Sequence, residues 1–438
     1  MTITAPATPA TTRTIPLAGV SLGYFMVLLD MTVLSVAEPD LASSLHASTA
    51  GLQWATTSYT VVFAALLLTA GAVADRFGAH RVFRSGIAAF GALSLLCAAA
   101  PTLGALVGLR ALLGVAAAAC VPASMAMITR LYPDPAARTR AIAAWAAISG
   151  SAVAAGPVLG GLLVGAAGWR AVFVVNAPIA LAVLALTAGA AVRCPRGTRR
   201  INVRSQLAVI ASLGLATDAL IAAGARAWPH AALSGAAAVA AVAVLVRLER
   251  GSAEPVVDGA LLRNRGVLLG LGVGAAVNFA LTGDLFVLPL TLHRGPVATG
   301  LAMLPMTVPF VLGPPVTGRL VARFGPRPAL LGGTVLLTAG AALLAAHVLT
   351  AGLLLTGCGV ALALPSLAAA VMGAAPDGGA GAAGGLLNAV RQSGATLGVA
   401  VAGAFASTNP SVALLIPGVL CAAAAAAVAL ALATTRRG

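Results

Sequence analysis

The feature that most constrains this chain is a series of fourteen apolar stretches, each about as long as a membrane-crossing helix. A helix needs roughly 20 mostly apolar residues to span a bilayer. The stretches cover residues 15–37, 52–74, 82–100, 103–128, 139–165, 170–192, 205–224, 229–248, 266–291, 297–320, 328–348, 350–372, 381–405 and 412–433. Hydrophobic residues make up 60% of the 438 residues and charged residues only 8%, against roughly 25% charged residues in soluble domains. A soluble enzyme is therefore excluded, and an all-α integral membrane protein with 14 transmembrane helices is predicted.

The seventh and eighth stretches are the least certain. Asp218 interrupts the seventh, and only the short segment 225–229 separates the two. They form either two full spans or a re-entrant hairpin, which would leave twelve spans.

The arginines test this segmentation, because arginine collects in the cytoplasmic loops of membrane proteins. All 26 basic residues are arginine, and 21 of them lie before the first stretch, around the ends of the second, fourth, sixth, eighth and tenth stretches and the loops after them, or at the end of the chain. Only Arg170, Arg226 and Arg294 lie in the opposite loops. The pattern predicts a multi-pass protein of the cell membrane with both termini in the cytoplasm. The net charge of +15 then reflects topology in a lipid bilayer, and no nucleic-acid partner is predicted.

Two arginine loops repeat each other 247 residues apart. The shared pattern is a glycine, then Arg-Phe-Gly, then a further arginine. Its residues are Gly71, Asp75, Arg76, Gly78 and Arg81 after the second stretch, and Gly318, Arg323, Gly325 and Arg327 after the tenth. The glycines are expected to allow close helix approach, and the charges can form a reversible cytoplasmic gate. A plain positively charged loop is the alternative.

The repeat predicts two related six-helix halves with two helices inserted between them, an architecture typical of transporters. The predicted division is a disordered cytoplasmic tail (1–12), an N-terminal half (13–192), a linker with two extra transmembrane helices (193–265), a C-terminal half (266–433) and a cytoplasmic tail (434–438).

Several segments resemble the major facilitator superfamily and, within it, the fourteen-helix drug:proton antiporters. The resemblance covers nearly the whole chain. It lies in Leu29-Asp30 to Pro39, Gln53-Trp54, the loop Gly71–Arg81, Arg110 to Gly114, Gly156-Pro157 with Gly160 and Gly161, Trp169-Arg170 to Pro178, Glu254-Pro255 to Arg265, and Asn388 with Arg391-Gln392. It implies the major facilitator fold and a role for Arg110 in proton transfer. Two residues depart from the family pattern: Ala152 replaces a glycine, and Glu38 replaces an aliphatic residue.

The charges in the interior of the apolar stretches, away from their first and last three residues, are Asp30, Arg110, Asp218, Asp284 and Arg391. Charges buried in a membrane are costly and usually face a cavity or a partner. Asp30 is the first candidate for the proton-coupling carboxylate, with Arg110 as its partner; a structural hydrogen bond is the alternative. Asp284 is expected to face Asp30 across a cavity, or else to serve packing.

The remaining candidates are less decided. Asp218 is expected to be structural. Glu38 adds an acid near the outer end of the first helix. Arg391, with Asn388, either binds an anion or braces the cavity. The Gly156-Pro157-Gly160-Gly161 set predicts a bent, closely packed helix that seals the outer side.

The function predicted from these features is proton-coupled antiport of small amphipathic drugs, cationic ones among them, by alternating access. A metabolite or uptake transporter of the same fold and a membrane receptor or scaffold are the alternatives. The chain lacks lysine and has no phosphate-binding Gly-x-x-x-x-Gly-Lys loop, so no built-in ATPase is predicted. No enzyme activity, cofactor or metal is predicted, and a monomer is expected.

Overall fold

A computed structural model describes residues 11–189, 194, 202–250, 252, 259–376, 379–406 and 408–435. Within these ranges every regular element is an α-helix, as predicted. The helices are α1 (Thr11–Leu45), α2 (Thr49–Phe77), α3 (Ala79–Ala98), α4 (Leu103–Leu131), α5 (Pro135–Ala167), α6 (Ala171–Val174), α7 (Asn176–Leu186), α8 (Val203–Gly224), α9 (Trp228–Arg250), α10 (Gly259–Arg263), α11 (Arg265–Thr291), α12 (Pro296–Ala302), α13 (Leu304–Leu312), α14 (Pro314–Phe324), α15 (Pro326–Ala345), α16 (Leu349–Ala374), α17 (Ala380–Ala406) and α18 (Pro410–Thr435).

The ends of the predicted domains fall partly outside these ranges. Helix α1 begins at Thr11, inside the segment predicted as a tail, and residues 1–10 lie outside the described part. So do 253–258, which hold the Glu254-Pro255 motif, and 436–438.

Polar side chains fix several helix starts. Ser48, Thr102 and Asp134 each accept a hydrogen bond from the backbone N–H three residues ahead, at 3.2, 3.2 and 2.7 Å. Such caps satisfy backbone donors that a helix leaves free in its first turn. These caps therefore mark where helices α2, α4 and α5 begin.

Within the described residues, fewer helices meet the length and hydropathy expected of a membrane span than the fourteen predicted. Ten helices are long and apolar enough to cross a membrane, or eleven if the two segments of α2, Thr49–Leu67 and Thr69–Phe77, are counted as one bent span. The predicted count of fourteen is not confirmed. The stretch 170–192 begins with the short helices α6 and α7, and the stretch 297–320 is divided among α12, α13 and α14.

Proline residues divide the stretch 297–320, and polar residues lie within the stretch 381–405. Pro309 lies inside α13, and Pro314 begins α14; proline removes a backbone donor and crowds the preceding turn. Helix α17 is continuous from Ala380 to Ala406, but it contains Arg391 and Gln392 and is not among the helices counted as apolar enough to cross a membrane.

The backbone confirms the internal repeat. Gly78 and Gly325 have φ values of 92° and 79°, and His46 and His293 have φ values of 50° and 48°. Each pair is separated by the 247 residues that separate the arginine loops. We call the end of the bundle with the Gly78 and Gly325 turns the arginine-loop end, and the end with the His46 and His293 turns the histidine-turn end.

Helix packing repeats in the same way. Helix α1 packs on α5 as α11 packs on α17, and α3 packs on α4 as α15 packs on α16. The two halves meet where α2 contacts α17 and where α5 contacts α12 and α13. The packing therefore gives two similar halves with a core between them, as the predicted architecture requires.

The inserted helices α8 and α9 form a pair on the outside of this core. Each is long and apolar enough to cross a membrane, so the re-entrant alternative is not favoured. Asp218 of α8 accepts a hydrogen bond from Ser234 at 2.5 Å and lies 2.8 Å from the His230 ring nitrogen. Both partners belong to α9, which gives Asp218 the structural role expected of it.

A single glutamine attaches the inserted pair to the bend in α2. The two segments of α2 meet at 61°. Gln206 of α8 is buried there, where its amide donates to the Ala65 carbonyl at 2.5 Å and accepts a hydrogen bond from the Thr69 hydroxyl. A side chain inserted at a helix bend supplies partners to backbone groups that a straight helix would satisfy itself.

We expect Gln206→Leu to lower the stability of the protein by about 1–3 kcal/mol, because it leaves buried polar groups of α2 without partners. Thermal melting of the purified protein in detergent measures the loss. Ser212→Ala is the matched control in the same helix, since the Ser212 hydroxyl bonds only the Ala208 carbonyl one turn back, at 2.7 Å. Equal melting temperatures for the two variants would show that Gln206 does not hold the bend.

Candidate functional site

A central cavity of about 130 Å³ lies between the two halves. Its polar wall residues are Tyr24, Thr32, Ser35, Glu38, Thr56 and Thr60 from the N-terminal half, and Asn278, Thr282, Asn388, Arg391 and Gln392 from the C-terminal half. Ligand pockets for drug-sized molecules are usually about 300–1,000 Å³. In this conformation the cavity must widen before it can hold such a molecule.

Contacts between the halves close this cavity toward the histidine-turn end. The Gln53 amide of α2 donates to the carbonyls of Val399 and Ala400 on α17, at 3.1 and 2.7 Å. The Thr396 hydroxyl of α17 donates to the Thr60 hydroxyl at 2.9 Å. Gln53 is fully buried, so its two bonds act as a latch between the halves.

Asp30 and Arg110 form a buried ion pair inside the N-terminal half. The Arg110 Nη1 contacts Asp30 Oδ2, and its Nε donates to the Ala55 carbonyl at 3.1 Å. The Asn176 amide donates to Asp30 Oδ1 and to the Ser94 hydroxyl, each at 3.0 Å. Both oxygens of the carboxylate are therefore satisfied, which a buried charge requires.

Aromatic rings enclose the guanidinium of this pair. The Arg110 Cζ lies 4.6 Å from the centre of the Tyr59 ring and 5.9 Å from that of Phe173. A cation over an aromatic face is stabilised by the ring quadrupole, more so when water is excluded. The predicted partnership of Asp30 with Arg110 is thus present as a dry, closed cluster.

Asp30 does not belong to the wall of the central cavity. The wall residues of α1 include Leu28, Met31, Thr32 and Ser35, and at 3.6 residues per turn Asp30 projects from nearly the opposite face. Helix α1 therefore carries the cavity on one side and the ion pair on the other. Any coupling between them passes through this helix.

The carboxylate that does line the cavity is Glu38. Its side chain is 2% exposed, and its Oε1 accepts a hydrogen bond from the Thr56 hydroxyl at 3.1 Å. Among the described residues its Oε2 has no hydrogen-bond partner. The residue that departs from the family pattern thus supplies the acidic group of the central cavity.

Asp284 does not face Asp30, and that expectation is wrong. Asp284 is 1% exposed on α11, but the wall residues of its helix are Asn278, Leu281, Thr282, Leu285 and Phe286. It lies close enough to the Cys421 thiol of α18 to interact with it electrostatically. The rotation of α11 therefore turns this carboxyl into the C-terminal half, and its Oδ1 has no partner in the described part of the chain.

Arg391 does line the cavity, on α17. Its Nη1 donates to the Asn388 side-chain oxygen one turn earlier, at 3.3 Å. Its Nε has no partner among the described residues. The geometry is compatible with both predicted roles of Arg391, because the bond to Asn388 positions the guanidinium without using all of its donors.

The glycines of α5 contact both halves. A Cβ on Gly156 would overlap the Thr32 side chain, and one on Gly160 would lie 2.7 Å from the Val33 carbonyl, both on α1. A Cβ on Gly161 would lie 2.6 Å from the Pro296 carbonyl of α12. On the partner side, α12 approaches Pro157 equally closely at Gly300. The predicted close-packed helix is therefore a wedge between α1 and the other half.

The two arginine loops have similar local structure, but their first glycines do not mediate close helix contacts. Arg76 lies over the Phe77 ring at 5.6 Å, and Arg323 lies over the Phe324 ring at 5.1 Å. The expected close approach at the first glycine of each loop is absent. A Cβ on Gly71 would meet only Pro122 at 3.9 Å, and one on Gly318 would meet no atom within 4 Å.

The later glycines of these loops, Gly78 and Gly325, have positive φ angles. Glycine adopts this backbone conformation without steric cost. Asp75 lies near the end of α2, and Arg81 lies in the first turn of α3. Asp75, Arg76 and Arg81 are exposed. Their role as a gate stays a prediction.

The sequence analysis assigned no contact to the residues that complete these clusters. Asn176, Ser94 and Gln53 are buried polar residues whose partners lie 146, 82 and 346 residues away. A polar residue inside an apolar stretch was the available signal. It marks a residue that needs a partner but does not say which.

A family model described as Major Facilitator Superfamily matches residues 20–304 and 267–438. A multidrug resistance protein, Stp, of Mycobacterium tuberculosis is 34% identical over 405 residues, which are 90% of this chain and 75% of the relative. The methylenomycin A resistance protein of Bacillus subtilis is 33% identical over 401 residues, 87% of this chain and 85% of the relative. The tetracenomycin C resistance and export protein of Streptomyces glaucescens is 33% identical over 404 residues, 88% of this chain and 74% of the relative.

A solved structure of the nucleoside transporter NupG, in a mutant form, has a similar fold. Its TM-score is 0.63 at 14% identity, and the match covers 95% of this chain and 99% of that chain.

Proposed function

The chain belongs to the major facilitator superfamily, and from this premise we propose that it is a proton-coupled antiporter that exports small amphipathic drugs. The chain is a multi-pass membrane transporter and not an enzyme. Relatives whose names describe multidrug resistance, antibiotic resistance and export support drugs as the class of substrate. The single observation that carries the proton coupling is the Asp30–Arg110 pair, in which the buried carboxylate belongs to a helix, α1, that also lines the cavity.

The coupling step we propose is a change of charge at Asp30. A proton on the carboxylate removes its ionic attraction to Arg110, and release of that proton restores it. Because the group is buried, this change alters the packing of α1 against α4 and α7 far more than a surface charge would. Asp30 thereby sets the position of α1.

The glycines of α5 can transmit that movement. Thr32 and Val33, directly after Asp30 on α1, contact Gly156 and Gly160. On its other side, helix α5 contacts α12 of the C-terminal half through Gly161 and Pro157. A shift of α1 is therefore passed to the contact between the halves, which must open and close for alternating access.

The orientation in the membrane follows from the arginine loops. We propose that the arginine-loop end and both termini face the cytoplasm, that the membrane is the cell membrane, and that the protein works as a monomer with the predicted two halves and inserted pair. The latch at Gln53 then lies on the outer side of the cavity. The described contacts between halves support a state closed to the outside.

Transport assays in proteoliposomes test this proposal. We expect a drug of the amphipathic class to accumulate inside vesicles only when the lumen is acidic and the arginine-loop end faces outward, and to collapse the pH gradient as it enters. Labelling of an introduced Arg81→Cys residue fixes the orientation. Accumulation driven by the opposite gradient would indicate an uptake transporter, and no gradient-driven flux of any drug would refute antiport.

A further inference from the structure

Three polar atoms of the central cavity wall have no partner among the described residues. They are Glu38 Oε2 of the N-terminal half, and Arg391 Nε and Gln392 Oε1 of the C-terminal half. An unsatisfied buried polar group costs about 1–3 kcal/mol, more when it is charged. A cavity with three such atoms is poised to bind a ligand that supplies both donors and acceptors.

The two charged groups lie at different depths. Glu38 bonds Thr56, and four residues further along α2 Thr60 bonds Thr396 of α17. At 1.5 Å per residue those four residues are about 6 Å of helix, and the five residues from Thr396 to Arg391 are about 7.5 Å. Both steps lead toward the arginine-loop end. Helix α2 runs toward that end from Thr56 to Thr60, and α17 runs away from it, so the step back from Thr396 to Arg391 leads toward it. The two lengths therefore add. The carboxylate and the guanidinium are therefore separated by about 13 Å along the bundle.

The wall between these ends is mainly apolar. Leu281, Leu285, Phe286 and Phe310 line it from the C-terminal half, and Leu28 and Met31 from α1. Glu38 is the acidic side chain and Arg391 the basic side chain of the wall among the described residues. The wall therefore presents an acidic end, an apolar middle and a basic end.

We infer that the preferred substrates are dipolar amphiphiles. Such a molecule carries an amine that binds Glu38, an apolar body, and a carboxylate or phenolate that binds Arg391. This inference rests on the proposed export function and names its substrate class. A purely cationic drug would leave Arg391 without an acceptor, and a purely anionic drug would leave Glu38 without a donor.

A competing arrangement gives the same two residues a different purpose. Glu38 and Arg391 belong to opposite halves, so they could pair with each other when the halves close around the cavity. In that case the pair would stabilise a closed state and select no ligand. The two arrangements differ in how ligands of different charge respond to each variant.

Isothermal titration of the purified protein in lipid nanodiscs, corrected with empty nanodiscs, separates the two arrangements. The probes share one alkyl chain: 11-aminoundecanoic acid, undecylamine and undecanoic acid. We expect the amino acid to bind at least about tenfold more tightly than either single-ended probe. Glu38→Gln should weaken the binding of the amino acid and of the amine by about tenfold and leave the binding of the acid unchanged. Arg391→Gln should weaken the binding of the amino acid and of the acid and leave the binding of the amine unchanged.

Glu249→Gln and Arg226→Gln are the matched controls, since Glu249 lies in α9 and Arg226 in the turn between α8 and α9, both outside the cavity wall. Melting temperatures show whether each variant is folded. Equal affinity for all three probes, or equal losses for all three in each variant, would overturn the inference in favour of mutual pairing. If the probes bind tightly and end-specifically but no gradient-driven transport occurs, the proposed function is refuted. If purely cationic drugs are transported and Arg391→Gln does not affect that transport, the proposed function stands and this substrate class is wrong.

Discussion

Replacing Asp30 with asparagine is expected to reduce proton-driven drug transport to the background of empty vesicles. The amide keeps the size of the side chain and can still bond Asn176, but it cannot take up or release a proton. It also leaves the Arg110 guanidinium as a buried charge without its counter-ion. Removing one partner of a buried pair costs about 3–5 kcal/mol, so the variant should also melt at a lower temperature.

The loss of stability could by itself explain a loss of transport, and a second variant separates the two. Asp30→Asn combined with Arg110→Gln removes both charges, so no uncompensated charge remains. We expect the double variant to regain most of the stability but none of the gradient-driven transport. Proton-driven accumulation by this double variant at the rate of the unmodified protein would contradict the role of Asp30.

Asp284→Asn is the informative comparison, because Asp284 is another buried acid within the helices and has no basic partner among its described contacts. The change leaves no unpaired cation, so we expect the variant to fold. Retained gradient-driven transport would leave Asp30 as the proton carrier. A loss equal to that of Asp30→Asn would show that both acids take part in the proton step.

A methyl group added at Gly161 is expected to open the contact between the halves. In Gly161→Ala the new Cβ would lie 2.6 Å from the Pro296 carbonyl oxygen and 3.2 Å from its carbon, both backbone atoms that cannot rotate away. Overpacking of this kind costs about 1–3 kcal/mol. Because the strain falls on the state in which α5 and α12 touch, it shifts the conformational equilibrium by up to about 100-fold rather than unfolding a whole half.

Proton leak in the absence of drug measures this effect, because an antiporter must keep its outer side closed while the cavity is empty. We expect Gly161→Ala vesicles to lose an imposed pH gradient faster and to transport drug at least several-fold more slowly. Gly272→Ala is the matched control, since a Cβ there would meet no atom within 4 Å. If both variants held the gradient equally well, the α5–α12 contact would not be the seal.

Much of the fold could be predicted from the sequence because it depends on local features. Membrane helices need long apolar stretches, and polar caps such as Ser48 and Asp134 fix where some of them begin. The repeat was visible because Arg-Phe-Gly requires the same turn in both halves, with a positive φ at Gly78 and Gly325. The count of fourteen spans was not confirmed, because apolar composition does not show where proline-containing stretches such as 297–320 divide.

The candidate site was only partly predictable. The pairing of Asp30 with Arg110 followed from the shortage of charges, since a buried acid in a membrane needs a partner. The position of Glu38 in the cavity and of Asp284 outside it did not follow. Helices such as α1 and α11 are apolar on all sides, so their sequences do not mark an inner face.

The sequence by itself therefore determined the helical class, the duplication and the short set of charges available for transport. Only the tertiary structure decided which of those charges meet, because that depends on the rotation of each helix about its axis. Contacts such as Asn176 with Asp30 and Gln53 with α17 join residues 146 and 346 positions apart. Packing of small residues, above all Gly156 and Gly161 against α1 and α12, sets those rotations through close backbone contact that no apolar pattern records.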